Sequence, residues 1–301
     1  MSLIVTGSIG IDSIEAPTGT ADGVLGGSTS YFAAAASFFG PVRLLGAVGD
    51  DFPQHFLDTL KHFGIDLEGL ETRAGSKTFR WRGKYHQNMN VRETLDVQLN
   101  IVAEAMPAVP ESYRDSQYVF LANTHPAGQL ELRSQFQTAT LTVADTMDLW
   151  IESERPTLLE LLKQVDGLVI NDSEAQLLTN ETNVVRAAEA IMKLGPKFVV
   201  IKKGEHGALL RHASGVAALP AYPARDVVDP TGAGDSFAGG MMGRLASCGD
   251  LSLQGLTRAM ACGTIVASFT IEAFSLDRLK QIDQRDLDAR LAEYAAMLRI
   301  T

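Results

Sequence analysis

Short, continuously apolar runs alternate with amphipathic stretches along most of the chain. The runs at 3–6, 42–48, 118–122, 141–145, 167–170 and 198–202 predict β-strands. Between them, helical spacing predicts a helix after Gly26 and Gly27, capped by Ser28 or Thr29 and stopped at Gly40. Phe52 to Phe63 predicts another, closed by Gly64. More are expected near 127–138, 155–164, 173–179 and 184–194, the last closed by Gly195. This alternation implies βαβ units, a mostly parallel sheet and helices on both faces. Ligands of such sheets bind beyond the carboxyl ends of the strands.

Two segments, 13–25 and 76–101, lack helical periodicity and are more polar. In the second, a period of two puts Thr78, Arg80, Arg82, Lys84 and His86 on one face. Phe79, Trp81 and Tyr85 share the other. Together the segments predict a small β-lid projecting from the main sheet. Its aromatic face needs cover from substrate or a second subunit, unless it packs on its own domain.

The chain has 301 residues, 46% apolar and 21% charged, enough for a large core and consistent with one α/β domain over 1–301. A net charge of −10 argues against a nucleic-acid polymer or an anionic membrane as main partner. Cys248 and Cys262 have neither disulfide-framework nor metal-ligand spacing and suit a reducing cytosol. Residues 1–7 read as a first strand rather than a signal peptide, so a cytoplasmic location is expected.

The chemistry concentrates at 226–240, where Asp229, Pro230 and Thr231 lead into Gly232, Ala233, Gly234 and Asp235. Phe237, Met241, Met242 and Leu245 follow at helical spacing. Glycines at a helix start leave amides unshielded, and the helix dipole draws anions there. A carboxylate among those amides can take a proton from a hydroxyl. Phe237 stands where a dinucleotide fingerprint needs its third glycine, and no Walker loop occurs. Cradle and base together equip a site to move a phosphoryl group from a nucleotide to an alcohol.

Residues 229–240 resemble the C-terminal signature of the ribokinase/PfkB family of carbohydrate and nucleoside kinases. The resemblance extends over almost the whole chain and in order. Gly26 and Gly27 are similar to the family's glycine pair, and residues 46–51 to its next strand-turn motif. Asn171 to Glu174 resembles its Asn-x-x-Glu motif, and Lys202 to Gly207 its nucleotide strand-loop. The resemblance implies a ribokinase-like three-layer fold, ATP as co-substrate, Mg²⁺ and, in some members, a monovalent cation. It implies that Asp235 is the base and that the amides of Gly232, Ala233, Gly234 and Asp235 form the anion hole. Asn171 and Glu174 would organise Mg²⁺ through water, although taken alone they also suit a helix cap. Thr231, Lys202, Gly204 and Gly207 would line the nucleotide site, with 261–274 beside the adenine.

Asp12, after the first strand, is the candidate grip on a vicinal diol. Gly27, Ser28, Tyr31 and Asn123 are further acceptor candidates. Ribokinase-like members often carry Asn where Tyr31 stands, and the chain is most similar to members described only as sugar kinases. The leading expectation is phosphorylation of a small sugar or polyol. The alternative is a nucleoside kinase, with Tyr31, Trp81 and Tyr85 as a stacking platform. A phosphosugar kinase using Arg80, Arg82, Lys84 and Arg92, and a non-catalytic sensor, stand behind these. A homodimer through the lid is also expected.

Overall fold

The computed structural model describes residues 1–299. In chain order its strands begin with β1 (Leu3–Thr6), β2 (Gly10–Ala16), β3 (Gly19–Gly26), β4 (Val42–Gly49) and β5 (Asp66–Arg73). Next come β6 (Phe79–Tyr85), β7 (Arg92–Gln98), β8 (Tyr118–Leu121), β9 (Leu141–Ala144) and β10 (Gly167–Asn171). The last are β11 (Phe198–Lys202), β12 (Ala208–His212) and β13 (Gly215–Leu219). The helices are α1 (Ser28–Ser37), α2 (Gln54–His62), α3 (Pro126–Gln135), α4 (Asp148–Ser153) and α5 (Arg155–Leu162). They continue with α6 (Asp172–Thr179), α7 (Val184–Met192), α8 (Ala233–Cys248), α9 (Leu253–Thr270) and α10 (Gln284–Met297).

Nine strands form the main sheet in the order β13-β12-β11-β10-β9-β8-β1-β4-β5. It is parallel from β11 to β5, and β12 and β13 add an antiparallel edge. The inner strands β1, β8, β9, β10 and β11 are mostly apolar because both faces are covered. Leu3 and Val5 of β1 join one buried core with α1, α8 and α9. Ile4, pointing the other way, joins a second core with α3, α5, α6 and α7. Two cores on one sheet make the three-layer arrangement that the alternation predicts.

Chain order reverses at β1: β4 and β5 lie to one side, and β8 onward to the other. The crevice beyond the carboxyl ends of β1 and β8 is therefore the topological switch point. Over this end stands a separate four-stranded sheet, β3-β2-β6-β7, so the two polar segments do form strands. The first begins earlier than the sequence pattern suggests, at Gly10 rather than 13, and the second slightly later, at Phe79 rather than 76. The edge strands β5 and β13, the neighbouring β12, and the helices α4 and α10 are additions to the sequence reading. The helix expected to run through 261–274 stops at Thr270.

Candidate active site

The start of α8 fixes the centre of the site. Gly232 adopts a left-handed backbone, φ 74° and ψ −1°, as the residue preceding the helix. A Cβ there would stand 2.2 Å from the Tyr31 ring, so the position demands glycine twice over. No side chain caps α8; its first amide, Ala233, donates to the Pro230 carbonyl at 3.2 Å, and the Gly234 and Asp235 amides beyond it are left for an anion, with Asp235 in the first turn. Asp229 shapes the approach: its Oδ1 accepts from the Thr231 amide at 2.9 Å. Lys202, at the carboxyl end of β11, extends across the cradle; its Nζ lies 2.8 Å from where a Cβ on Gly234 would be.

Five carboxylates converge here. Asp12, Asp145 and Asp229 are almost fully buried, and Asp235 and Glu174 are partly so. Burial, reinforced by Asp229, pushes the Asp12 carboxyl up to about 8, with Asp235 adding to the rise and the Gly27 amide opposing it. Asp235 is raised by burial, against the pull of Lys202, Arg92 and its own amide. Burial and the charge of Asp235 lift Asp145 well above the usual carboxylate range. Burial also raises Glu174 and Asp229. Asp12 Oδ1, Tyr31 OH, Asp145 Oδ1 and Asp229 Oδ2 are buried without a hydrogen-bond partner. Buried polar atoms are nearly always satisfied, so this set marks a place built to receive polar groups or cations.

The other sequence candidates separate by environment. Asn171 and Glu174 form a reciprocal capping box on α6: Asn171 Oδ1 accepts from the Glu174 amide at 2.7 Å, and Glu174 Oε2 from the Asn171 amide at 2.9 Å. Asn171 Oδ1 also accepts from Ser173 Oγ at 3.1 Å, whereas Glu174 Oε1 accepts nothing among the described residues. No group of three or more metal-ligating side chains occurs among those residues. The unengaged Glu174 Oε1 could accept from the water shell of a cation such as Mg²⁺, which keeps much of its hydration. Gly204 and Gly207 form the turn between β11 and β12, closed by the Lys203 amide on the Gly207 carbonyl at 2.7 Å.

Ser28 is tied to Ser8 through its amide (3.3 Å) and hydroxyl (3.1 Å). Gly27 packs directly on backbone: a Cβ there would lie 2.6 Å from the Ser8 carbonyl oxygen. The Tyr31 ring is buried beneath Gly232. Asn123 accepts from Trp150 Nε1 at 3.0 Å and directs its amide to Met147 Sδ at 3.2 Å, so both ends of its side chain are engaged. The basic residues split between two faces. Arg80 pairs with Asp51 at 2.9 Å and Arg82 with Glu15 at 2.6 Å. Arg92 sits on the opposite face, over the Trp81 ring at 5.7 Å. Tyr85, on that inner face, accepts from Thr231 Oγ1 at 3.2 Å.

Asp145 is not legible as a site residue from the sequence, and Gly26 is legible only through the resemblance of the Gly26–Gly27 pair. Asp145 ends an apolar run, as Asp12 nearly does, and that placement was the available signal. Gly26 matters through the space it leaves, which only the fold displays.

A sequence profile described as "pfkB family carbohydrate kinase" matches residues 18–280. The cytidine kinase of Thermococcus kodakarensis is 31% identical over 248 residues, covering 80% of this chain and 87% of that protein. A Burkholderia thailandensis nucleoside kinase solved with inosine superposes with a TM-score of 0.77 at 21% identity, covering 98% of this chain and 99% of the other. Aminoimidazole riboside kinase from Salmonella enterica, solved with its riboside and an ATP analogue, gives 0.78 at 22% identity, covering 97% and 100%. With the uncapped glycine cradle and its adjacent carboxylate in place, the match settles the family: the chain belongs to the pfkB carbohydrate kinases and is a kinase of sugars or nucleosides.

Proposed function

We propose that the protein transfers the γ-phosphoryl group of ATP to a hydroxyl of a nucleoside. The observation that carries the reading is the placement of Asp12. Its buried carboxylate, with Oδ1 unpartnered, lies in register with Trp81 on the small sheet. Paired residues on adjacent strands share a face. A ribose diol held by Asp12 would therefore set the attached base along the indole. The cytidine kinase relative supports the same reading.

In this scheme Asp235 takes the proton from the acceptor hydroxyl as its oxygen attacks the γ-phosphorus. The bond from that phosphorus to the bridging oxygen breaks, the electron pair leaves with ADP, and the proton remains on Asp235. Burial raises Asp235 towards the range in which a base can accept and return a proton. The free amides at the start of α8, with Lys202 beside Gly234, receive the charge that spreads over the phosphoryl oxygens. Mg²⁺, anchored by Glu174 through water, would neutralise charge on the nucleotide phosphates. Thr231, Gly204 and Gly207 would border the nucleotide. The small sheet would act as a lid that excludes water from the transfer.

A bare sugar or polyol is the second reading. Tyr31 lies under Gly232, Tyr85 is tied to Thr231, and the Trp81 ring already packs over Gly83 and under the Arg92 guanidinium, which favours an acceptor that needs no stacking face. An ADP-release screen over nucleosides, pentoses, hexoses, inositols and phosphosugars decides. Nucleosides turning over at least tenfold faster than any sugar supports the first reading, and the reverse order supports the second.

The edge strand β7 leaves Leu95 and Val97 exposed (41% and 48%). An apolar, unpaired edge of this kind suits a second copy of the chain. Sedimentation should then show a dimer, and a monomer at all concentrations would exclude this contact.

A further inference from the structure

We propose that the β6–β7 hairpin is a strap from the acceptor-side sheet to the nucleotide loop, and that this strap holds Arg92 over the glycine cradle as a second cation for the transferred phosphoryl group. The inference rests on the kinase reading above and adds a positioning device and a charged residue to it.

The strap's outer end is a specific contact. Asn90 Nδ2 donates to Glu205 Oε1 at 2.9 Å, joining residues 115 apart in the chain. Gly204 permits the approach, since a Cβ there would stand 3.3 Å from Asn90 Oδ1. The turn is braced from within. The amides of Asn90 and Val91 both donate to Asn88 Oδ1 at 3.2 Å, and the Met89 amide donates to the His86 carbonyl at 2.8 Å. A turn cross-braced in this way transmits position from the nucleotide loop to the first residue of β7.

That residue is Arg92. It lies opposite Tyr85 across the strand pair, and so shares the face whose Tyr85 hydroxyl meets Thr231 at the edge of the cradle. Arg80 and Arg82, on the other face, are neutralised by Asp51 and Glu15. Arg92 makes no ion pair among the described residues; only the Trp81 ring lies under its guanidinium. Its field nevertheless reaches Asp235 and Glu174, favouring the ionised form of each. Lys202 approaches the same amides from the main sheet. A γ-phosphoryl group placed on the cradle would thus lie between one cation from each sheet. An arginine fits the role because its planar fork can follow two phosphoryl oxygens at once.

The test uses the full chain, ATP and the best acceptor from the screen. Arg92→Ala should lose roughly 10²–10³-fold in kcat while ATP affinity changes less than about threefold. Arg92→Lys should recover part of the loss, and guanidinium ion in solution should partly rescue Arg92→Ala. In hydrogen exchange, ATP should protect residues 86–92 in the wild type, and Asn90→Ala should abolish that protection without changing ATP affinity. Turnover of Arg92→Ala within threefold of wild type overturns the role of Arg92. Equal protection in Asn90→Ala and wild type overturns the strap. Absence of any ATP binding contradicts the kinase reading and this inference together, whereas ATP binding with unaffected variants contradicts the inference alone.

Discussion

The carboxylate of Asp12 occupies the space that a side chain on Gly26 would fill: a Cβ there would stand 2.0 Å from both Cγ and Oδ2 of Asp12. The two residues sit on paired strands, β2 and β3, with Gly10 opposite Gly26. The glycine therefore works as a socket for the Asp12 carboxylate, the proposed acceptor grip. Gly26→Ala should raise the acceptor KM by about tenfold or more, because a small misplacement of a binding group is costly. ATP affinity should stay within about twofold. Steady-state kinetics with each substrate varied checks this, and a change confined to ATP would count against it.

Burial of Asp12 also has a signature in stability. Its folded pKa, pushed up to about 8, lies above the ordinary value of 3.8. The protonated form therefore favours the fold. That contribution is complete below 3.8 and is lost as pH rises through about 8. Asp12→Asn, which carries no charge, should match wild type in Tm at pH 4. At pH 9 it should melt at least ~2 °C higher, given the usual conversion of stability into Tm for a chain of this size. Parallel Tm curves across the range would contradict this assignment for Asp12.

Tyr31 supports the cradle with its ring and keeps a hydroxyl with no partner. An unsatisfied buried hydroxyl costs stability that an apolar replacement avoids. Tyr31→Phe should therefore melt at or above the wild-type temperature without ligand. It should also raise the acceptor KM, since Asp12 lies near enough for its charge to act on the orphaned hydroxyl. Calorimetry and kinetics on one variant read both effects; a lower Tm would show that the hydroxyl is satisfied in solution.

Glu174 caps α6, and the proposed function adds a metal task that substitution can separate from it. Glutamine can still accept from the Asn171 amide, so Glu174→Gln should keep α6 capped and the protein folded. The lost charge should raise the Mg²⁺ concentration needed for half-maximal turnover by tenfold or so, since each charged ligand to a hard cation counts heavily. An unchanged Mg²⁺ dependence would leave Glu174 as a helix cap only.

Much of this layout is readable from local pattern, and the reasons for the exceptions are physical. Strands buried on both faces announce themselves as apolar runs, which is why β1, β8, β9, β10 and β11 could be placed. The outer strands β5, β12 and β13 are half-covered, and their mixed composition gives no clean period. The glycine cradle was legible because its chemistry is compressed into consecutive residues. Asn171 and Glu174 were legible as a pair, but their spacing serves a capping box equally well, and the capping box is present. The separation of Arg92 from Arg80 and Arg82 depends on which face each strand presents. Strand β7 has a register shift between its pairings with Arg82 and Gly83, which defeats simple counting from one strand to the next. The fit of Asp12 into Gly26 joins two strands through packing, which has no sequence period at all.

If Asp235 is a base beside an anion cradle, acceptor-dependent ADP release should separate wild type from Asp235→Asn. The wild type should turn over, the variant should lose roughly 10²–10⁴-fold, and both should still bind ATP. Near-normal turnover by Asp235→Asn, or ligand binding by the wild type with no ADP released for any acceptor, would remove Asp235 from that role.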